Sequence, residues 1–423
     1  MGGARTTGFM ARQIRKVVVL GANGAMGAGS GEVFAAAGIE TTFLARTRDK
    51  ALEGQKRAEK LAKSSAISRF IRVGSYEEDL ARAVADADLV FEAVSEDLAL
   101  KRVYLEKIDK LRQPDAIVAT VSSGLSIAAM AAVGGPSFSR HFLGIHFFNP
   151  PNVIVGCELI PHAGTDPLVV GDVTELLRER LGRELVRTSD TPAFCGNRVG
   201  FKVLNECAQL VERHGAAYID ALLGPHTGRA MAPLATIDFV GWDVHQAIVD
   251  NVYAHTRDEA HEAFALPALM KEKIAAGCLG DKTPDKGGFF KKGEKPNAEL
   301  PEVARRMKAL HHVGRYREAF DVFADAGGAD ADLMRRVILG YVSYGLARVG
   351  EVVESVADVD RIMGFGFNWA PPGALVDLIG ARRTVALVEA ARLPVPRALV
   401  EAAERNQRLF DAAHVDIGRF FHG

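Results

Sequence analysis

"VVVLGANGAMG", residues 17–27, decides how the first half of the chain folds. Val17 to Leu20 are continuously apolar, as in a strand buried on both faces. Glycines follow at 21, 24 and 27. Then Ala28 to Ala37 is a run of mostly small, helix-compatible residues, stopped by Gly38. Strand, glycine loop and helix in that order form a cradle for a pyrophosphate. The glycines let backbone come close to it, and the helix start offers unpaired N–H groups and the positive end of its dipole. Gly21, Gly24, Ala25, Met26 and Gly27 are therefore candidate dinucleotide-binding residues. The spacing is Gly-x-x-Gly-x-x-Gly, one residue longer than the usual Gly-x-Gly-x-x-Gly fingerprint.

Reading outward, Thr41 to Ala45 forms a second strand. Its end normally carries an acid that holds the ribose 2′-hydroxyl of NAD. Arg46 and Arg48 stand there instead, which suits a 2′-phosphate and makes NADP the alternative to NAD. Further apolar runs at 88–94, 116–120, 142–147 and 157–161 alternate with helical stretches at about 48–63 and 98–111. Such alternation implies a parallel sheet covered on both faces, a Rossmann-like doubly wound α/β domain over residues 12–192. After Pro192 the pattern turns helical. The polar, glycine-rich 280–296 reads as a loop or linker, and helices resume from about 300. Ile219-Asp220 leading to Asp238-Phe239-Val240-Gly241 recurs as Val359-Asp360 leading to Asp377-Leu378-Ile379-Gly380. A duplicated all-α domain, 193–295 and 325–423, is the expectation.

The remaining composition narrows the function. A net charge of −1 provides no field to attract nucleic acid or an anionic membrane. No apolar run approaches the roughly 18 residues of a membrane span. Cys157, Cys195, Cys207 and Cys278 lie far apart in no metal-ligand spacing, so no metal site is expected. Sparse cysteine fits a reducing compartment, and the basic leader lacks a secretory apolar core, so a cytoplasmic location is expected.

The chemistry centres on "GIHFFNPPNV", residues 144–153. His146 sits in an apolar run that breaks at Asn149-Pro150-Pro151, where an open α/β sheet places its ligand crevice. Glu158 lies in the next apolar run, Val153 to Ile160. A carboxylate on a neighbouring strand fixes one imidazole nitrogen and leaves the other as a base. Beside a nicotinamide site, such a pair suggests alcohol oxidation.

The sequence resembles the 3-hydroxyacyl-CoA dehydrogenases of fatty-acid β-oxidation. The resemblance rests on "ADLVFEAVSEDLALKRVYLEKID" (87–109), "AIVATVSSGLSI" (116–127), "FLGIHFFNPPNVIVGCELI" (142–160), "TSDTPAFCGNRVGFKVLNE" (188–206) and "GFFKKGE" (288–294). It implies that His146 is the general base toward the 3-hydroxyl and that Glu158 orients it. Ser123 would contact substrate and the nicotinamide side, and Asn197 the substrate carbonyl. Glu96, Lys101 and Asn149 would contact cofactor. The implied reaction interconverts (S)-3-hydroxyacyl-CoA and 3-oxoacyl-CoA, with acyl-CoA bound between the Rossmann and first helical domains.

Two departures from the family pattern stand out. Val121-Ser122-Ser123-Gly124 lacks the family's asparagine, and Val155 replaces a common lysine. Single-block relatives pair their helical domains between subunits. A duplicated block would pair internally, in a monomer or homodimer, with no hydratase domain within 1–423. In the second copy Arg335-Arg336-Val337 stands where the first has Asn197-Arg198-Val199, so that copy should be structural. Two other readings stay open: a dehydrogenase for a different 3-hydroxy acid, and a nucleotide-binding regulator with a decayed site.

Overall fold

A computed structural model describes residues 13–293, 298–411 and 416–421. The leader up to residue 12 and the end of the glycine-rich stretch, 294–296, lie outside them. So do the expected domain limits at 12, 295 and 423. The chain divides into two compact units, Met1–Asp190 and Thr191–Gly423.

The first unit is built on eight strands: β1 (Lys16–Leu20), β2 (Glu40–Ala45), β3 (Ile71–Ser75), β4 (Leu89–Glu92), β5 (Ile117–Thr120), β6 (Phe142–Phe147), β7 (Gly156–Pro161) and β8 (Glu184–Arg187). Their order is β3-β2-β1-β4-β5-β6-β7-β8. Helices α1 (Ala25–Ala36), α2 (Arg48–Ala62), α3 (Leu80–Ala85) and α4 (Leu98–Leu111) follow β1, β2, β3 and β4. Each helix carries the chain back so that the next strand runs parallel to the last. Asp97 caps α4 by accepting from the backbone N–H of Leu100 at 2.8 Å. Beneath α1 the core is aromatic: Phe34 meets Phe91 edge-on at 5.4 Å, and Phe91 meets Phe147 at 5.9 Å. Buried aromatic pairs of this kind add stability beyond their area.

The sheet departs from the all-parallel expectation at one side. β7 runs antiparallel to β6, and β8 pairs parallel to β7. The connection from Phe148 to Val155 holds no helix, and a chain that returns without a crossover can pair only antiparallel. Two strands went unread in the sequence, β3 and β8. Both are edge strands, and edge strands are short and polar enough to hide from a hydrophobic pattern.

The second unit is all helix. In its first half Asp220 accepts from Leu234 N and Ala235 N at 2.8 and 3.0 Å, capping the helix Pro233–Val240. In its second half Asp360 accepts from Gly373 N at 2.8 Å, at the start of the helix Pro372–Ile379. Asp238 then accepts from Phe289 N and Phe290 N at 3.0 and 2.9 Å, and Asp377 from Leu409 N and Phe410 N at 2.9 and 3.2 Å. Gly241 and Gly380 end the paired helices at φ +100° and +97°. The two halves thus repeat one hydrogen-bond plan. They also pack together: Arg198 donates to Tyr344 Oη at 3.0 Å, and Arg198 and Arg348 share Asp258 and Glu351. Arg335 is tied locally to the carbonyls of Phe323 and Ala326.

The stretch read as a loop or linker is, over its described part, a loop packed onto the helices. Phe289 and Phe290 are held by Asp238, and Phe289 packs on Trp242 at 4.5 Å. Gly288 permits this, because a Cβ there would stand 2.0 Å from Asp238 Oδ1.

Burial raises the Asp220 carboxyl to about 7 and the Asp360 carboxyl to about 8. Each holds its proton in the folded chain at pH values where the unfolded chain has released it. The native state therefore binds more protons, and stability falls as pH rises through that window. Replacing Asp360→Asn is expected to shrink the fall in Tm between pH 6 and pH 9. Thermal unfolding at the two pH values checks this, and an unchanged fall would remove Asp360 as its source.

Candidate active site

β1, β2, β4, β5 and β6 run parallel, so their C-terminal ends open on one edge of the sheet. Chain connectivity delivers most candidate residues there. Gly21 follows β1, Arg46 follows β2, Glu96 follows β4, Ser123 follows β5 and Asn149 follows β6. Such an edge is where open α/β sheets bind ligands.

The glycine loop is tight. Gly21 has φ +74°, and a Cβ on it would stand 2.3 Å from Ala93 O. A Cβ on Gly27 would stand 2.2 Å from Gly21 O. Gly24 N donates to Gly21 O at 3.0 Å, and Gly24 is the N-cap of α1. Gly21 N donates to Tyr76 Oη at 2.8 Å. Only bare backbone fits between strand ends and helix start, and the first turn of a helix has N–H groups without intrahelical acceptors. The loop fits a dinucleotide pyrophosphate; Gly24, Ala25, Met26 and Gly27 would hold it. Arg46 is exposed just past β2, while Arg48 turns to Asp79 at 3.5 Å.

His146 and Glu158 are direct cross-strand partners in the antiparallel β6–β7 pair. Side chains of such partners share a face. Nδ1 of His146 lies 2.7 Å from Oε2 of Glu158. The side chains are 4% and 0% exposed. Phe148 packs edge-on to the imidazole at 4.7 Å between ring centres. With Nδ1 engaged by an acceptor, Nε2 is the ring nitrogen that would exchange a proton with a ligand.

A second cluster joins three other candidates. Lys101 is fully buried, donates to both carboxylate oxygens of Glu92 at 2.9 and 3.0 Å, and reaches Glu96 at 3.4 Å. Glu96 Oε1 accepts from Ser123 N at 2.8 Å and from Ser122 Oγ at 2.6 Å. Lys101 therefore faces protein carboxylates, and any contact it made with a cofactor would share those bonds. Glu92, Thr120 and Ser122 were not singled out in the sequence. The overlooked signal was an acid at the end of an apolar strand, the same feature that marked Glu158.

Asn149 is exposed at the end of β6, joined to Pro150 by a cis peptide bond. Asn197 belongs to the second unit, 6% exposed in the first turn of the helix Gly196–Gln209. Asp190, also unread in the sequence, accepts from Ile127 N and Ala128 N at 2.9 and 2.8 Å and so secures the segment after the serine loop. Among the described residues no helix is long and apolar enough to cross a membrane.

Comparison with known proteins agrees with this layout. Residues 16–191 match the family model of the 3-hydroxyacyl-CoA dehydrogenase NAD binding domain, and residues 194–291 that of the C-terminal domain. A probable 3-hydroxyacyl-CoA dehydrogenase of Deinococcus radiodurans is 35% identical over 72% of this chain and 90% of its own. One of Bacillus subtilis is 28% identical over 95% of this chain, which spans 55% of that relative's length. A solved 3-hydroxybutyryl-CoA dehydrogenase from Escherichia coli shares the fold, with TM-score 0.73, 22% identity, and coverage of 93% of this chain and 99% of that one. The chain belongs to the 3-hydroxyacyl-CoA dehydrogenase family and is an NAD-dependent dehydrogenase.

Two substitutions test the cofactor site. Gly27→Ala forces a Cβ into backbone and is expected to weaken NADH binding at least about tenfold, roughly 1.4 kcal/mol. Fluorescence titration reads it, and an unchanged Kd would remove the loop from the site. Arg46→Ala is expected to weaken NADPH more than NADH. Equal effects on both would show that Arg46 recognises no phosphate.

Proposed function

We propose that the chain interconverts (S)-3-hydroxyacyl-CoA and 3-oxoacyl-CoA, with His146 as acid/base and Glu158 as the group that orients and stabilises it. The reading is carried by the buried 2.7 Å bond between His146 Nδ1 and Glu158 Oε2 beside the ligand edge of a dinucleotide-binding sheet. NAD, when bound, supplies the hydride acceptor. In the oxidation direction His146 Nε2 takes the proton of the 3-hydroxyl. Glu158 accepts from Nδ1–H throughout and balances the charge that develops on the ring. In reduction the same nitrogen returns the proton to the carbonyl oxygen.

Ser123 sits on the loop after β5 and would contact the acyl substrate and the nicotinamide side. Asn149 and Glu96 would contact cofactor, as the family resemblance implies. Asn197 would donate to the acyl carbonyl, on the same ground. The packing of the two helical halves on each other supports a chain that covers this surface internally, as monomer or homodimer. Acyl-CoA as substrate is in keeping with relatives named 3-hydroxybutyryl-CoA dehydrogenase in Bradyrhizobium diazoefficiens and Mycobacterium tuberculosis. A cytoplasmic location remains part of the proposal.

Steady-state reduction of acetoacetyl-CoA by NADH is expected to exceed that of free acetoacetate. Comparable rates would favour a dehydrogenase for a free 3-hydroxy acid. His146→Ala is expected to lower kcat by roughly 10²–10⁴, the usual worth of a positioned acid/base. Glu158→Gln is expected to lower kcat by less, because the imidazole remains. Turnover unchanged in His146→Ala would exclude the mechanism.

A further inference from the structure

Glu92 ends β4 and is completely buried, as is its partner Lys101. Its Oε1 accepts from Lys101 Nζ at 2.9 Å and from Val94 N at 2.7 Å. Its Oε2 accepts from Lys101 Nζ at 3.0 Å and from Thr120 Oγ1 at 2.6 Å. From this carboxylate two routes lead to one short loop. Thr120 Oγ1 accepts from Ser122 N at 3.2 Å. Lys101 Nζ lies 3.4 Å from Glu96 Oε2, and Glu96 Oε1 holds Ser122 Oγ and Ser123 N. Ser122 Oγ in turn accepts from Leu125 N at 3.0 Å. These hydrogen bonds and the Lys101–Glu96 ion pair close a ring that runs from the end of β4 through the first turn of α4 to the loop 122–125.

A buried Lys–Glu pair is weak evidence for stability, since desolvation opposes the attraction and an apolar pair of similar volume often serves as well. What the ionic pair adds is direction. Its donors and acceptors are all used, and they fix where Glu96 and Ser122 stand. We propose that Glu92 is a positioning residue. It acts through Lys101 and Glu96, and through Thr120, to hold the Ser122–Leu125 loop in the shape that presents Ser123 to the reacting substrate. The inference rests on the proposed role of Ser123 as a substrate contact. Glu92 itself is completely buried and acts through these neighbours.

The experiment compares wild type with Glu92→Gln, Ser122→Ala and the double variant. A neutral replacement of the ion pair, Glu92→Gln with Lys101→Met, serves where Glu92→Gln alone fails to fold. Hydrogen exchange of the chain without ligand is read first. Exchange of the 122–125 amides is expected to rise at least about tenfold in Glu92→Gln or in the neutral pair, while β4 and β5 stay protected. Kinetics with NADH and acetoacetyl-CoA are read second. Glu92→Gln and Ser122→Ala are each expected to lower kcat/KM about tenfold, and the double variant far less than the product, because residues in one network are not additive. Loop exchange unchanged from wild type overturns the proposal, and so do kinetic effects that simply multiply. Loop exchange that rises in a chain whose wild type does not turn over acetoacetyl-CoA supports the positioning of the loop and instead removes the proposed substrate.

Discussion

One cross-strand hydrogen bond depends on a reversal of chain direction, and the site is organised around that reversal. Six strands of the first unit, β1 to β6, run the same way and end on one edge. If β7 had joined them, its connection would have needed a crossover, and Glu158 would have reached its position from a different register. By turning back after Asn149-Pro150-Pro151, the chain sets residue 158 opposite residue 146. A carboxylate with no water around it would be costly alone. Opposite an imidazole nitrogen at 2.7 Å it is satisfied, and it fixes Nδ1 as the ring nitrogen that faces the carboxylate.

The second carboxylate cluster solves a related problem by different means. Loops are the mobile part of a sheet's ligand edge, and a substrate contact carried on a loop is only as well placed as the loop. Here the loop after β5 is tied to the neighbouring strand and helix rather than to its own backbone alone. Glu92, Lys101 and Glu96 occupy the space between β4 and α4, so they also fix how that helix leaves its strand.

Much of this was legible in the residues, for identifiable reasons. β1, β4, β5 and β6 are continuous apolar runs, and their pattern survives without tertiary context. His146 and Glu158 stood out because titratable residues in apolar runs demand partners. The direction of β7 was not legible, since alternation of strand and helix says nothing about a strand that follows without a helix. β3 and β8 were hidden by their short, polar edges. Glu92 was passed over although it lies in the apolar run 88–94, an acid in an apolar strand as Glu158 is. Lys101 is expected, from the family resemblance, to contact cofactor, and the structure pairs it with Glu92. Its burial comes from α4 packing onto the strand ends, a contact that helical periodicity alone does not reveal. The repeat could be seen at Asp220 and Asp360. The way Asp238 and Asp377 bind backbone far downstream could not, because that depends on a long-range contact.

The helical unit repeats its plan within a single polypeptide, and this has an evolutionary consequence. In a symmetric dimer every substitution at the contact occurs twice, so each side chain must be compatible with its own image. In this chain Arg198 meets Tyr344 and Glu351, residues unlike itself and encoded elsewhere. Each side of the seam is free to drift without altering the other. One half can keep an asparagine at residue 197 with no matching asparagine imposed on the other, a freedom that identical subunits lack.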